Sequence, residues 1–303
     1  MKVLLPQTFD AKRMFPFLAE LVHDDGTPKH TEIELDFYPL EKIYPTGVTS
    51  LANVIRLLQN QGCSVRCIHP LVDRGTSQKS PIKYLDDSNF FLELFGERVY
   101  ERSVCRATTM PLRFIEYEKY VDWIHNKVIP WLDSQLSIKT ARQLPELAMY
   151  VYEIFNNIRE HAQVDVGSVH MQVFPSHKEV QIAISDFGVG IPMNIRKIPG
   201  MPAMTDSQCL EQAIKPGVSS KSLPTNKGAG LDHLLQNVIV ENKGRVHIFS
   251  KRGHLEAKLQ GNVVGLSVEN YEEYYPGTLI FIGLRTDTIR PEDVFGEVFE
   301  WDE

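Results

Sequence analysis

Hydrophobic positions along this chain recur at helical spacing in some stretches and alternate as in strands in others. Val3-Leu4-Leu5 predicts a short strand. Ala11 to His23 has helical spacing through Met14, Leu18 and Leu21, and Glu32 to Phe37 alternates as a strand. Val48 to Gln61 puts Leu51, Val54, Ile55 and Leu58 on one helical face, with Gly62 as its stop and Cys63 to Ile68 as the next strand. A strand, a helix and a strand with short connections make a βαβ unit. Further on, Asp73 to Ser80 reads as a loop and Phe90 to Phe95 as a short apolar segment. Ile115 to Leu136 has helical spacing through Tyr120, Val121, Ile124 and Val128, with Pro130 kinking or restarting it. The expectation is a connecting helix between two domains.

The second half opens on another helix. Leu147, Val151, Ile154, Ile158 and Ala162 recur three and four residues apart, and Pro145 suits the first turn. Ser168 to Phe174, Val180 to Ser185, Val246 to Ser250 and Leu279 to Leu284 read as strands, the second of them half-buried. Leu231, Leu234, Leu235 and Val238 mark a further helix. Between Ile191 and Asn226 the periodicity fades and Pro, Gly and Ser accumulate. Such long irregular stretches are usually functional or mobile.

Three places in this half carry candidate chemistry. Glu153 and Asn157 are i and i+4 on one helical face. A carboxylate beside an amide oxygen can begin a magnesium site, with Glu153 orienting or deprotonating a nucleophile. A solvated polar face is the plainer alternative. Asp186 ends a strand and leads into Gly188 and Gly190. It can accept a hydrogen bond from the exocyclic amine of adenine, or simply begin a turn. Gly228 and Gly230 precede an apolar helix, where free amides suit phosphate or make an ordinary glycine-rich helix start.

In this order and spacing, the three pieces resemble the N, G1 and G2 boxes of the GHKL superfamily, the Bergerat-fold ATPases and kinases. The N box matches at Glu153 and Asn157, and Asn157 to His161-Ala162 is closest to the histidine-kinase and anti-sigma branches. The G1 box matches at Asp186, Gly188 and Gly190, continuing into Ile191. The G2 box matches at Gly228, Gly230 and Leu231, with Asn226 where the family has its first glycine. Asn242 to Val246 resembles the family's helix-to-strand turn, and Gly277-Thr278 its last Gly-Thr element, opening the Leu279 strand. Ser219-Ser220-Lys221 resembles a lid motif. Lys215, Lys221 and Lys227 are candidates for the γ-phosphate, with Lys221 preferred, and plain surface charge is the alternative for all three.

The resemblance spans roughly residues 140–288. It implies ATP and Mg2+ as ligands, Glu153 as the catalytic residue, Asn157 on the metal and Asp186 on adenine. Gly228 and Gly230 would then hold phosphates, with Ile191, Leu231 and Thr278 around the nucleotide.

The first part resembles a STAS domain, the fold of anti-sigma factor antagonists, over residues 30–70 at best. Thr46, before Gly47, falls at that family's phosphorylatable position, and capping the following helix is its alternative role. The expected class is therefore α+β. A small α/β STAS-like domain (1–110) and a connecting helix (111–139) precede a Bergerat-type sandwich (140–303), with a mixed sheet and helices on one face.

Composition changes this picture little. A chain of 303 residues predicts two domains, and 43% hydrophobic with 23% charged residues is ordinary for a globular protein. A net charge of −7 argues against nucleic-acid binding by general basicity. The four cysteines have no recognised metal spacing, no apolar run is long enough for a membrane span, and the start is too short for a signal peptide. The expected setting is the reducing cytoplasm. Three functions stay open: an ATP-hydrolysing switch, an anti-sigma-type serine/threonine kinase acting on a STAS partner or on Thr46, and a non-catalytic ATP-binding module. A protein partner through the STAS-like part and a homodimer follow from the resemblance alone.

Overall fold

The computed structural model describes residues 1–70, 80–116, 118–136, 151–152, 155, 166–215, 218 and 230–288. They form a mixed α/β structure of stacked layers. The N-terminal part holds β1 (Lys2–Leu4), α1 (Ala11–Leu21), β3 (Glu32–Asp36), α2 (Pro45–Asn60) and β5 (Ser64–Ile68). The short β2 (Thr8–Phe9) and β4 (Lys42–Ile43) pair beside them. Asp10 caps α1 by accepting from the amides of Lys12 and Arg13. Gly62, in the left-handed region at φ 81°, turns the chain from α2 to β5. Strands β1, β3 and β5 pair in parallel in that order, so the expected βαβ unit is present.

Two further helices, α3 (Pro81–Asp87) and α4 (Phe90–Phe95), lead to β6 (Thr109–Glu116). The expected connecting helix therefore begins later than its periodicity suggested. Residues 111–116 belong to β6, which pairs with β7 (Val166–Phe174). The helix itself runs through α5 (Tyr120–Trp123), a π-helical turn (Ile124–Val128) and α6 (Ile129–Leu136). Thus Pro130 sits just after the π turn, at the start of α6, and the path does not break there.

Strands β6, β7, β8 (Glu179–Asp186), β10 (Val263–Arg285) and β9 (Arg245–Gln260) form one five-stranded sheet in that order. Every described pairing in it is antiparallel, which corrects the expectation of a mixed sheet. The reason is β9 and β10. They are far longer than Val246–Ser250 and Leu279–Leu284, and they form a hairpin that turns at Gly261.

Helices cover both faces of this sheet, not one. On one face lie α5, α6 and the helix Gly230–Leu235, packed on Val169, Met171, Ile182, Ile184, Ile248 and Ile280. On the other lie α1 and α2, sandwiched between the three-stranded and five-stranded sheets. Ala183, Phe249, Tyr275 and Leu279 belong to the same core as Val3, Met14, Leu35 and Leu51. The N-terminal part is thus a layer of the structure, in full contact with the second sheet. That is why β8, expected to be half-buried, is buried along nearly its whole length.

Helix α2 is buried almost all round as a result. Thr46 is 5% exposed within its first turn, and the N-cap is Tyr44 with no side-chain cap bond, so Thr46 does not cap the helix. No described helix is long and apolar enough to cross a membrane.

Candidate functional site

Asp186 ends β8 opposite Thr278 of β10. The residue is 1% exposed, and its carboxylate accepts a hydrogen bond from the Gly188 amide at 2.5 Å. The turn-forming role is therefore real, and it leaves the carboxylate deep at the strand end. Burial pushes its pKa up to about 7, although the Gly188 and Thr278 backbone bonds and the Lys251 charge pull the other way. No ion pair to Asp186 is formed among the described residues. Above that pKa the group is ionised and can only accept, from an incoming polar donor; below it the carboxyl can also donate.

The glycine turn after it is fixed by side chains. Gly190 takes φ 82°, where a side chain is strained, and a Cβ there would come within 2.8 Å of Ser250 Oγ and 3.2 Å of the Gly277 carbonyl. Its successor, the Ile191 amide, donates to Ser250 Oγ at 3.0 Å and opens the helix Ile191–Ile195. Ser250 Oγ also reaches the Gly277 carbonyl (2.8 Å) and Thr278 Oγ1 (3.1 Å). Gly277, at φ 91°, lies against Asp186, where a Cβ would sit 2.2 Å from the Asp186 carbonyl oxygen. Gly277-Thr278 does not open a strand as expected. It lies inside β10 at a shift of register between Tyr275 and Thr278, and this bulge brings it to the end of β8.

The structure therefore brings Asp186, Gly188, Gly190, Ile191 and Thr278 into one cluster. Leu231, in the helix that Gly230 begins, is buried in the apolar core against which Ile191 packs. Val151 and Phe155, helical and fully buried, belong to the same core, and Phe155 stacks on Tyr120 at 5.4 Å. Glu153, Asn157, Lys221, Lys227 and Gly228 lie outside the described residues; Lys215 is described and exposed. Among the described residues no group of three or more His, Cys, Asp or Glu is placed to hold a metal.

Several participants were not singled out in the sequence. Ser250 ties three backbone pieces together. Lys251, left-handed at φ 57°, places its Cε 3.0 Å from where a Gly190 Cβ would be and bonds the Tyr274 hydroxyl. Burial lowers its pKa, and Asp186 and Asp206 act to raise it. Behind Asp186, Asn53, Ser168, Ser185 and Tyr275 form a buried polar junction. The helix Asp206–Ala213 interrupts the stretch expected to be irregular. Its Thr205/Gln208 capping box was readable as a Thr-x-x-Gln signal.

Compared with known proteins, the chain matches no family model and no curated protein.

Proposed function

We propose that this chain is a GHKL-type protein that binds ATP with Mg2+ and works as an ATP-hydrolysing regulatory switch. The observation that carries the reading is the buried Asp186 carboxylate at the end of β8, held between a left-handed glycine turn and the Gly277-Thr278 bulge. In this reading Asp186 accepts from the exocyclic amine of adenine. Gly188 and Gly190 let the backbone approach the base, and Ile191, Leu231 and Thr278 line it. Gly228, Gly230 and Lys221 meet the phosphates. Asn157 holds the metal, which supplies charge neutralisation when bound. Glu153 orients the attacking water and takes its proton. A cytoplasmic setting and a protein partner of the N-terminal part belong to the same proposal.

A kinase would use the same Glu153 against a hydroxyl. The burial of Thr46 speaks against that residue as the target and directs a kinase reading to a separate STAS protein. The test is to incubate the purified protein with Mg2+ and γ-labelled ATP, alongside Glu153→Ala and Asp186→Asn. Free phosphate and protein-bound label are followed together. The expected result is phosphate release that Glu153→Ala abolishes while ATP still binds. Transfer of label to an added STAS protein would favour the kinase. Binding without turnover in any variant would leave a binding module, and absence of binding would refute the nucleotide pocket.

A further inference from the structure

The polar junction behind Asp186 joins two parts of the chain that the sequence read as separate domains. Asn53, on α2, donates from Nδ2 to Ser185 Oγ at 2.5 Å and to the Asp186 carbonyl at 3.3 Å. Its Oδ1 accepts from Ser168 Oγ at 2.6 Å. Ser185 Oγ in turn donates to the Thr278 carbonyl at 2.7 Å and lies 2.7 Å from the Tyr275 hydroxyl. Accepting from both Asn53 and Tyr275 and donating to Thr278 uses the full bonding capacity of that hydroxyl. Asn53 is 2% exposed, and Ser168, Ser185 and Tyr275 are no more so. From Thr278 the bonds continue through Ser250 to the Ile191 amide, beyond the glycine turn.

We propose that Asn53 is a positioning residue for the nucleotide site: α2 of the N-terminal part fixes Asp186 and the Gly277-Thr278 bulge from behind through the Asn53–Ser185 bond. This rests on the nucleotide reading of Asp186. The physical ground is that β8 alone does not fix its last residue. Beyond Asp186 the pairing with β10 ends, and β10 bulges at that point. Asn53 grips the two residues at that end and supplies the lateral restraint the ladder lacks. A buried, fully satisfied polar network admits few alternative arrangements, so it suits setting a carboxylate to within a fraction of an ångström. The N-terminal part is then a component of the site, and a ligand or partner that shifted α2 would act on nucleotide affinity.

The test uses the full chain and measures equilibrium binding of ATP and GTP to the unaltered protein, Asn53→Ala, Ser168→Ala and Leu58→Ala. Leu58 is a fully buried residue of α2 with no part in these hydrogen bonds, so its truncation controls for general destabilisation. Asn53→Ala is expected to weaken ATP about tenfold or more with little change for GTP, because the adenine-reading group is what moves. Ser168→Ala, which removes the support of the Asn53 amide and a longer bond to the Ser185 carbonyl, is expected to do the same to a smaller degree, and it serves if Asn53→Ala does not fold. Leu58→Ala should leave the ATP-to-GTP ratio unchanged. An unchanged ratio in both Asn53→Ala and Ser168→Ala, with ATP bound by the unaltered protein, would overturn the positioning role alone. No ATP binding by the unaltered protein would overturn the nucleotide reading and this inference with it.

Discussion

The two faces of the five-stranded sheet are built by different rules. On the side of α5 and α6, the strands present Val169, Met171, Val173, Ile182 and Ile184 to an apolar core. On the side of α1 and α2, Ala183, Phe249 and Leu279 join an apolar core too, but β7 and β8 also bury Ser168, His170, Gln172, Gln181 and Ser185 there. That second face adds hydrogen bonds across the layer to its apolar packing. Tyr84 of α3 meets His170 Nε2 at 2.9 Å, and Asn53 of α2 meets Ser185 and accepts from Ser168 Oγ at 2.6 Å. Apolar packing tolerates repacking at similar volume, whereas a buried polar face works in one register only. The difference teaches that apolar burial stabilises the sheet from both sides, while the polar positions of the second face also fix how the N-terminal layer sits on it.

The largest expected break separates neighbours on β8. Ile184→Ala removes a fully buried side chain from the helix-side core and should cost about 2–5 kcal/mol of unfolding free energy in urea titrations. Ser185→Ala, one residue on and facing the other way, should cost about 1–3 kcal/mol by stranding Asn53 and Tyr275. Losses of equal size with unchanged ATP binding in both would erase the distinction between the faces.

A second contrast is titratable. Asp186, with its pKa raised to about 7, stabilises the fold most at acidic pH, and this contribution is lost as pH rises from the ordinary carboxylate range through 7. Buried His170, with its pKa lowered to about 3, acts in the opposite sense: its contribution is intact above the ordinary imidazole value and is lost as pH falls towards 3. The two slopes oppose each other between about pH 4 and 6.5. Asp186→Asn should remove the first and unmask the second. Relative to the unaltered protein, its ligand-free stability should improve by up to about 3 kcal/mol between pH 5 and pH 8. Parallel pH profiles for the two proteins would show that Asp186 is not held in its protonated form.

The last contrast, which includes the smallest effect, concerns two glycines with the same backbone but different surroundings. Gly200 (φ 86°) has open space where a Cβ would go, and Gly277 (φ 91°) has the Asp186 carbonyl there. Gly200→Ala should cost about 1 kcal/mol and leave ATP binding alone. Gly277→Ala should cost more and weaken binding, as thermal melts with and without ATP would show.

Much of this architecture was legible in local pattern. The βαβ unit, the Asp186 strand and the Leu231–Val238 helix follow from apolar periodicity. What stayed hidden was the meaning of polar periodicity. Thr46, Thr49, Ser50 and Asn53 recur on α2 at helical spacing, and Ser168, His170 and Gln172 alternate on β7. In a sequence such stripes look like solvated faces. Here Asn53 meets Ser168, Thr49 reaches the Ala183 carbonyl, His170 meets Tyr84, and both stripes are buried. The long hairpin escaped because Lys251 to Gly277 mixes charges with tyrosines and carries a bulge, so its alternation is broken where the chain approaches Asp186. The candidate site divides in the same way. Its glycines and Asp186 were visible as a motif, whereas Asn53 and Ser250 act through contacts made only when distant segments fold together.

The most direct test is equilibrium binding of Mg-ATP to the unaltered protein and to Asp186→Asn at pH 8, where the Asp186 carboxylate is mostly ionised. A hydrogen bond to a charged group is worth about 1.5–3 kcal/mol, so the variant should bind about 10- to 100-fold more weakly while remaining folded. Equal binding by both proteins, or none by the unaltered one, would contradict the assignment of Asp186 as the group that reads adenine.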